Sequence, residues 1–391
     1  MAGLALGAPL LRAADPPRTE PGTLRIATYN VAMYRRAAGE LAAELSTGAS
    51  RQAKRIAEVL QRVRPDIVLL NEIDHVSADD ASASDPVALF AERYLAAPQA
   101  PGLEPLDLPH RFAAPVNTGE PSGLDLDGDG STDGPADAWG YGAYPGVYGM
   151  AVLSRLPIDA AVSRSFRKLR WADLPNARRP IVPATGEPFY PSDVWRRLRL
   201  PSKTLVDVVV RVGDRPLHLV GSHPTPPVFD GPEDRNGARN ADEIRLVREY
   251  VTGELAEYFV DDAGRAGSLA VGARYVVLGD LNADPNDGNG RPEAIRRLLA
   301  VTGDPAPRSA GGVKASRAFA QLNGAHTGDP GMDTGAFGPD GHGNLRIDYA
   351  LPCPELRVVR TGVYWPIDDE PGADAVTASD HRMVWVDIES P

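Results

Sequence analysis

The chain has 391 residues, 39 of them glycine and 37 proline, with 42% hydrophobic and 24% charged residues and a net charge of −12. Glycine and proline together exceed their roughly 12% average share, but the hydrophobic content excludes a disordered chain and the absence of a Gly-X-Y period excludes collagen. The acidic balance excludes a broad basic face for duplex binding, the single cysteine, Cys353, excludes a disulfide framework, and no apolar run approaches the roughly 18 residues of a membrane span.

The first residues, MAGLALGAPLLRAADPP, combine an apolar stretch from Leu4 to Leu11 with small residues at Ala13-Ala14 but lack a basic leader. They read as a signal remnant or an unstructured tail over 1–22, and a secreted or periplasmic, monomeric protein is expected. From Thr23 the pattern becomes strand, loop, helix, strand. Leu24–Tyr29 alternates as a strand, and Ala49–Val63 reads as a helix with Ile56, Val59, Leu60 and Val63 on one face. Ile67–Leu70 is the short continuous apolar run of a buried strand. The stretch from Pro98 to Gly149 is rich in Gly, Pro, Asp and Tyr and has little periodicity, so a long functional loop or insertion is predicted there. Met150–Leu153 restores a strand, and Pro175–Pro201 is again irregular, with a basic cluster at Arg196, Arg197 and Arg199. Lys203–Val212 and Arg215–Ser222 form a predicted hairpin turning at Gly213-Asp214. Arg239–Val251 reads as a helix, Tyr275–Leu278 as a strand, and Pro292 opens a helix through Leu299. Leu345–Ala350 and Met383–Ile388 are the last strands. Helices interleaved with strands indicate an α/β fold in one domain over 23–390 rather than an all-β sandwich.

Polar groups sit where these apolar strands end. Asn30 follows Ile26–Tyr29, Glu72 follows Ile67–Leu70, and His223 follows Leu217–Ser222. Asp280 and Asn282 follow Val276–Gly279, Asp348 lies within Arg346–Tyr349, and Asp380-His381 precedes Met383–Trp385. An Asp or Asn behind a strand is ordinarily a turn former or cap, and a lone His is ordinarily structural. Carboxylates at the ends of core strands cost desolvation unless paired or metal-bound, so this many point to one shared site.

The segments LRIATYNV, PDIVLLNEID, YGMAVLSRLPI, HLVGSHPTPP, VVLGDLNADP, LRIDYALP and ASDHRMVWVDI resemble, in this order, the endonuclease/exonuclease/phosphatase superfamily. That superfamily includes deoxyribonuclease I-like nucleases, inositol-polyphosphate 5-phosphatases and neutral sphingomyelinases. The resemblance implies a four-layer α/β sandwich, two mixed β-sheets face to face with helices outside. It also implies metal-assisted, in-line attack of water on a phosphoester. Glu72 is a hard oxygen ligand suited to Mg²⁺, Mn²⁺ or Ca²⁺, and the resemblance makes it the principal metal ligand with Asn30 and Asp380 nearby. By the same resemblance Asp280 orients or deprotonates the water and Asn282 holds a phosphate oxygen. His381 donates to phosphate, Asp348 fixes its imidazole, and His223 contacts the phosphate or assists the leaving group.

Departures narrow the expectation. The Pro-rich loop after His223 carries Arg235 and Arg239, candidate phosphate contacts by their bidentate chemistry, against the plain reading of loop charges at a helix start. Asp125, Asp127 and Asp129 precede Gly130 as in the first half of a calcium loop, with Asp133 a further carboxylate, but position twelve is Ala136 rather than Glu. A structural Ca²⁺ or an ordinary Asp/Gly turn are the two readings. Asn117-Thr118-Gly119 is a candidate pocket lining. Trp139, Tyr141, Tyr144 and Tyr148 either stack a ring or pack the loop, and Cys353 is expected to be inert. The leading substrate class is a small phosphate ester; a secreted nuclease acting on DNA or RNA and a non-catalytic metal-binding module are the alternatives.

Overall fold

The structure, a computed structural model, describes residues 15–75, 85–318, 324–338 and 341–391. The Leu4–Leu11 and Ala13-Ala14 segment lies outside the described residues. Strands run in chain order as β1 Thr23–Met33, β2 Ile67–Ile73, β3 His110–Ala113, β4 Met150–Ser154 and β5 Arg164–Ser165. Next come β6 Leu205–Val212, β7 Arg215–Ser222, β8 Tyr275–Asp280, β9 Gly335–Ala336, β10 Asn344–Leu345, β11 Asp348–Pro352, β12 Val358–Tyr364 and β13 Met383–Glu389. The helices are α1 Glu40–Ser46, α2 Arg51–Val63, α3 Pro86–Phe90, α4 Ser192–Arg197, α5 Arg235–Thr252, α6 Pro292–Leu299 and α7 Ala310–Ala318.

Two mixed sheets pack face to face with helices outside. One has the order β12-β13-β1-β2-β4-β3 and the other β11-β8-β7-β6-β5, while β9 and β10 form a small ribbon. Period-two alternation assigns the faces. Leu24 and Ile26 of β1 and Ile67 and Leu69 of β2 join Val206, Val208 and Leu219 in the core between the sheets. The intervening Ala27, Tyr29, Val68 and Leu70 pack against Ile56, Val59, Leu60 and Val63 of α2, the face expected from the sequence. Ser50 caps α2, accepting the N–H of Ala53, and Arg64 ends it in the left-handed region at φ 54°.

Four segments differ from expectation. The stretch 98–149 contributes β3, whose residues pair antiparallel with β4 as the edge of the first sheet. Short-range alternation was too brief there, at four residues, to stand out among its prolines and glycines. The irregular stretch 175–201 contains α4, and α5 starts at Arg235 rather than Arg239. Residues 15–22, expected to be unstructured, instead hold the chain start in place: the Pro17 carbonyl accepts from Arg25 at 2.8 Å, and Asp15 pairs with Arg62 at 3.1 Å.

A buried ion pair locks the sheet that brings the chain ends together. Arg25 and Asp387 are register partners on β1 and β13, and the guanidinium meets the carboxylate with two bonds of 2.7 and 2.8 Å. Its third edge donates to the Val63 carbonyl at the end of α2, at 2.6 Å, where a cation also suits the helix dipole. Removing one member of such a pair strands the other charge. Arg25→Met is expected to lower the unfolding free energy by about 3–5 kcal/mol in urea titration; a loss well under 1 kcal/mol would contradict this assignment.

Candidate active site

Strand direction explains why polar residues so far apart in sequence meet. β2 runs parallel to β1 and β8 parallel to β7, whereas β13 is antiparallel to β1 and β11 antiparallel to β8. The C-terminal ends of four strands therefore lie beside the N-terminal ends of two. Asn30, Glu72, His223 and Asp280 come from the former, and Asp348 and His381 from the latter.

Asp280 is the centre. It is 1% exposed and faces Asp348 in the β8–β11 register. Asn30, from the opposite sheet, donates its amide to Asp280 Oδ2 at 3.0 Å, and the backbone N–H of Asn282 donates to Oδ1 at 2.9 Å. The Nε2 atoms of His223 and His381 lie 3.4 and 3.7 Å from Oδ2. Burial alone would raise this carboxyl, but the His381 and His223 imidazoles and the Asn282 N–H hold it well below the usual carboxylate range. His381 is fixed from behind, its Nδ1 2.9 Å from Asp348 Oδ2. The Asp348 N–H in turn donates to the Thr334 hydroxyl at 3.0 Å. Burial opposes charge on this ring, yet the Asp348 and Asp280 carboxylates push it up to about 10. Ser379 joins the two sides, donating to the Asn30 carbonyl at 2.7 Å and accepting the His381 N–H at 3.0 Å.

Glu72 stands across from this group, its Oε1 3.7 Å from His223 Nε2. Its backbone is in the left-handed region at φ 58°, a break in the β2 pleat. Ligand atoms of Glu72, His223 and Asp280 all lie within 4.8 Å of one another, as do those of Asp280, Asp348 and His381. Among described residues, His223 Nδ1 and Asp348 Oδ1 are buried without a hydrogen-bond partner.

The structure places the other expected residues differently. Asn30 is committed to Asp280 through its amide N–H and to the Ala32 N–H through its carbonyl oxygen, at 3.1 Å. Asp380 is half exposed at the rim, 4.0 Å from His381 Nε2. Asn282, with φ 50°, donates its amide to the Pro224 carbonyl at 3.1 Å and so anchors the Pro-rich loop. Arg239 corrects the expectation of a phosphate contact. Its guanidinium donates to the carbonyls of Leu200, Trp139 and Arg199 at 2.9, 2.7 and 3.0 Å, because three orphan loop carbonyls converge on it. Arg235 pairs with Glu233 and lies 5.1 Å over the Phe189 ring.

The loop aromatics separate as well. Tyr144 donates to Asp74 at 2.6 Å, Tyr148 packs on Tyr34 at 4.6 Å, Trp139 lies under Arg199, and Tyr141 is exposed. Asn117 is structural: it donates to the Arg167 and Pro201 carbonyls at 2.6 and 2.7 Å. Asp125, Asp127 and Asp129 bring their carboxylates within 4.8 Å of one another, with the Gly128 and Gly130 N–H groups donating to Asp125 at 2.7 and 3.0 Å; Asp133 is not in that group. Cys353 is buried, and burial pushes its thiol up.

Two residues were not singled out from sequence. Asp74 is a buried acceptor for the Arg35 and Tyr148 N–H groups and the Tyr144 hydroxyl, and burial pushes it up to about 6. Lys203 is 7% exposed. The available signal was a lysine two residues before a six-residue apolar-rich run, LVDVVV.

The fold and this cluster define an α/β sandwich with one acidic and histidine-rich site at the strand ends. The chain belongs to the Endonuclease/Exonuclease/phosphatase family, whose model matches residues 27–381. It is similar to a solved endonuclease/exonuclease/phosphatase from Beutenbergia cavernae DSM 12333, at 19% identity and TM-score 0.51, covering 95% of this chain and 72% of that one. An endonuclease/exonuclease/phosphatase family protein from Leptotrichia buccalis C-1013-b matches at 14% identity and TM-score 0.49, covering 94% and 99%. Sphingomyelinase C from Streptomyces griseocarneus matches at 16% identity and TM-score 0.42, covering 93% and 99%. Curated protein sequences give no significant match. Among described residues no helix is long and apolar enough to cross a membrane.

The His381–Asp348 pair has a defined pH signature. Because the folded value lies above the ordinary 6.5, its stabilisation is complete below 6.5 and is lost as pH rises through about 10. In metal-free protein, NMR of the His381 ring should show a titration near pH 10, and Asp348→Asn should move it toward 6.5. A ring that titrates equally in both proteins would contradict the coupling.

Proposed function

We propose that the protein is a metal-dependent phosphoric ester hydrolase that directs water in line onto a phosphorus centre. The observation that carries this reading is the Asp280 carboxylate, kept ionised in a buried position by Asn30, Asn282 and two imidazoles. A buried ionised carboxylate beside histidines is suited to accepting a hydrogen bond from the attacking water and orienting it. His381, charged at neutral pH and oriented by Asp348, donates its Nε2–H toward a phosphate oxygen as charge builds there. His223, nearly fully buried, contacts the phosphate or assists the leaving oxygen. Asn282 assists less as a phosphate ligand than as the anchor of the loop beside it, through Pro224.

Glu72 is the principal ligand assigned to Mg²⁺, or Mn²⁺ or Ca²⁺ in its place, and its nearness to His223 and Asp280 fits a shared divalent cation. When bound, the cation supplies Lewis acidity to the phosphate oxygens and neutralises the carboxylates around it. Asp380 supports it from the rim, and Asn30 supports it indirectly by holding Asp280. A second, structural calcium is assigned to Asp125, Asp127 and Asp129. The net charge of −12 supports a small phosphate ester over a duplex polyanion.

A panel of p-nitrophenyl phosphate, bis-p-nitrophenyl phosphate, inositol phosphates, phospholipids, DNA and RNA, each with Mg²⁺, Mn²⁺ and Ca²⁺, tests the reading. Hydrolysis of a small ester is expected, with Asp280→Asn lowering kcat by about 10²–10⁴-fold. No turnover with any metal, or an unchanged variant, would end the enzyme reading, and cleavage confined to nucleic acid would replace the substrate class. In the calcium arm the melting temperature should rise for wild type and not for Asp125→Asn/Asp129→Asn.

A further inference from the structure

Lys203 is a nearly buried lysine that the active-site chemistry described above leaves unused. It is 7% exposed, and the Ser202 hydroxyl just before it lies 3.4 Å from the His223 carbonyl oxygen, which sets it at the polar strand ends near Glu243, Glu72 and Asp280. Its backbone is pinned on both sides. Ser202 gives its N–H and hydroxyl to Glu243 at 2.6 and 2.9 Å, and the Lys203 carbonyl accepts the Asn117 N–H at 3.0 Å. The other Glu243 oxygen takes the Thr225 N–H at 2.7 Å, two residues beyond His223. Glu243 thus sets Lys203 and the strand end carrying His223 in one frame, with both of its own oxygens occupied.

Among described residues the Lys203 ammonium donates no hydrogen bond and has no carboxylate within 4.0 Å. Among described residues its Nζ is not one of the polar atoms buried without a partner, so the ammonium reaches solvent at the polar strand end, where its three N–H donors match an oxyanion. Beside it are the residues assigned to the cation and the attacking water, Glu72 and Asp280. Carboxylates attract the ammonium to that place, but they lie too far to satisfy it.

We propose that Lys203 is a catalytic residue that donates to a non-bridging oxygen of the substrate phosphate and so completes the anion-binding half of the site. This rests on the phosphoesterase reading and adds a positively charged contact that no other described residue supplies from the β6 side. Lysine serves such a contact as a point charge, needing no bidentate geometry.

The test uses the full-length protein with Mg²⁺ and inorganic phosphate as the probe, comparing wild type, Lys203→Met, Lys203→Gln and Lys203→Arg. Calorimetry should show phosphate affinity at least about tenfold weaker in Lys203→Met and Lys203→Gln, about 1.4 kcal/mol, with Lys203→Arg closer to wild type. Melting temperatures without phosphate should change little in the neutral variants, because the ammonium makes no hydrogen bond within the described protein. If wild type hydrolyses esters while the two neutral variants keep its phosphate affinity and kcat/KM, Lys203 is only a counter-charge for Glu243 and the proposal is overturned. If wild type neither binds phosphate nor hydrolyses any ester, the phosphoesterase reading falls and this proposal falls with it.

Discussion

The structure turns on keeping one carboxylate, Asp280, ionised inside a sandwich core. A charge in that position is tolerated only when donors surround it, and the donors come from both sheets. Asn30 crosses from the first sheet, the Asn282 N–H folds back from the loop after β8, and two imidazoles close the remaining side. The backbone pays attention to the same point. Gly279 has φ 144°, and a Cβ there would collide with the Ser222 carbonyl, so β7 and β8 can draw His223 and Asp280 together only with glycine at this position. The two sheets are therefore joined at their polar end by a hydrogen bond to the Asp280 carboxylate itself, not by apolar packing alone.

Around that point the charges are arranged in opposition. His381 and His223 drive Asp280 toward its anion, and Asp348 and Asp280 drive His381 toward its cation. Farther out, the Gly- and Pro-rich loops are sewn down by buried polar side chains. Arg239 gathers three carbonyls from two loops, and Asn117 bridges the Arg167 and Pro201 carbonyls while accepting from Arg199 at 2.6 Å. Loops of this composition are held rigid by such donors where no strand ladder can satisfy them.

The strand-end residues were legible because burial and polarity conflict there. Asp280 after Val276–Gly279 and Glu72 after Ile67–Leu70 stand out against apolar runs, and α2 and α6 announced themselves by periodicity and an N-terminal proline. What stayed hidden was direction and partner. Sequence shows that Arg239 is basic and near His223, but not that its donors turn toward the Leu200 and Trp139 carbonyls. It shows an apolar-poor segment at 98–149 but not that four of its residues reach the edge of a sheet. Lys203 was read only as the start of a strand, since its significance lies in Glu243 and Asp280, 40 and 77 positions away. For Tyr144 the sequence left stacking and loop packing as alternatives and did not show its hydroxyl donating to Asp74.

The central claim is that the strand-end cluster is a metal-centred site built around Glu72 and Asp280. It is tested most directly by anomalous diffraction from crystals soaked in Mn²⁺, for wild type and Glu72→Gln. The account predicts an anomalous peak in wild type at bonding distance from the Glu72 carboxylate, on the side facing His223 and Asp280, and its loss in Glu72→Gln. A peak elsewhere with none at Glu72, or one at Glu72 that survives the substitution unchanged, would contradict it.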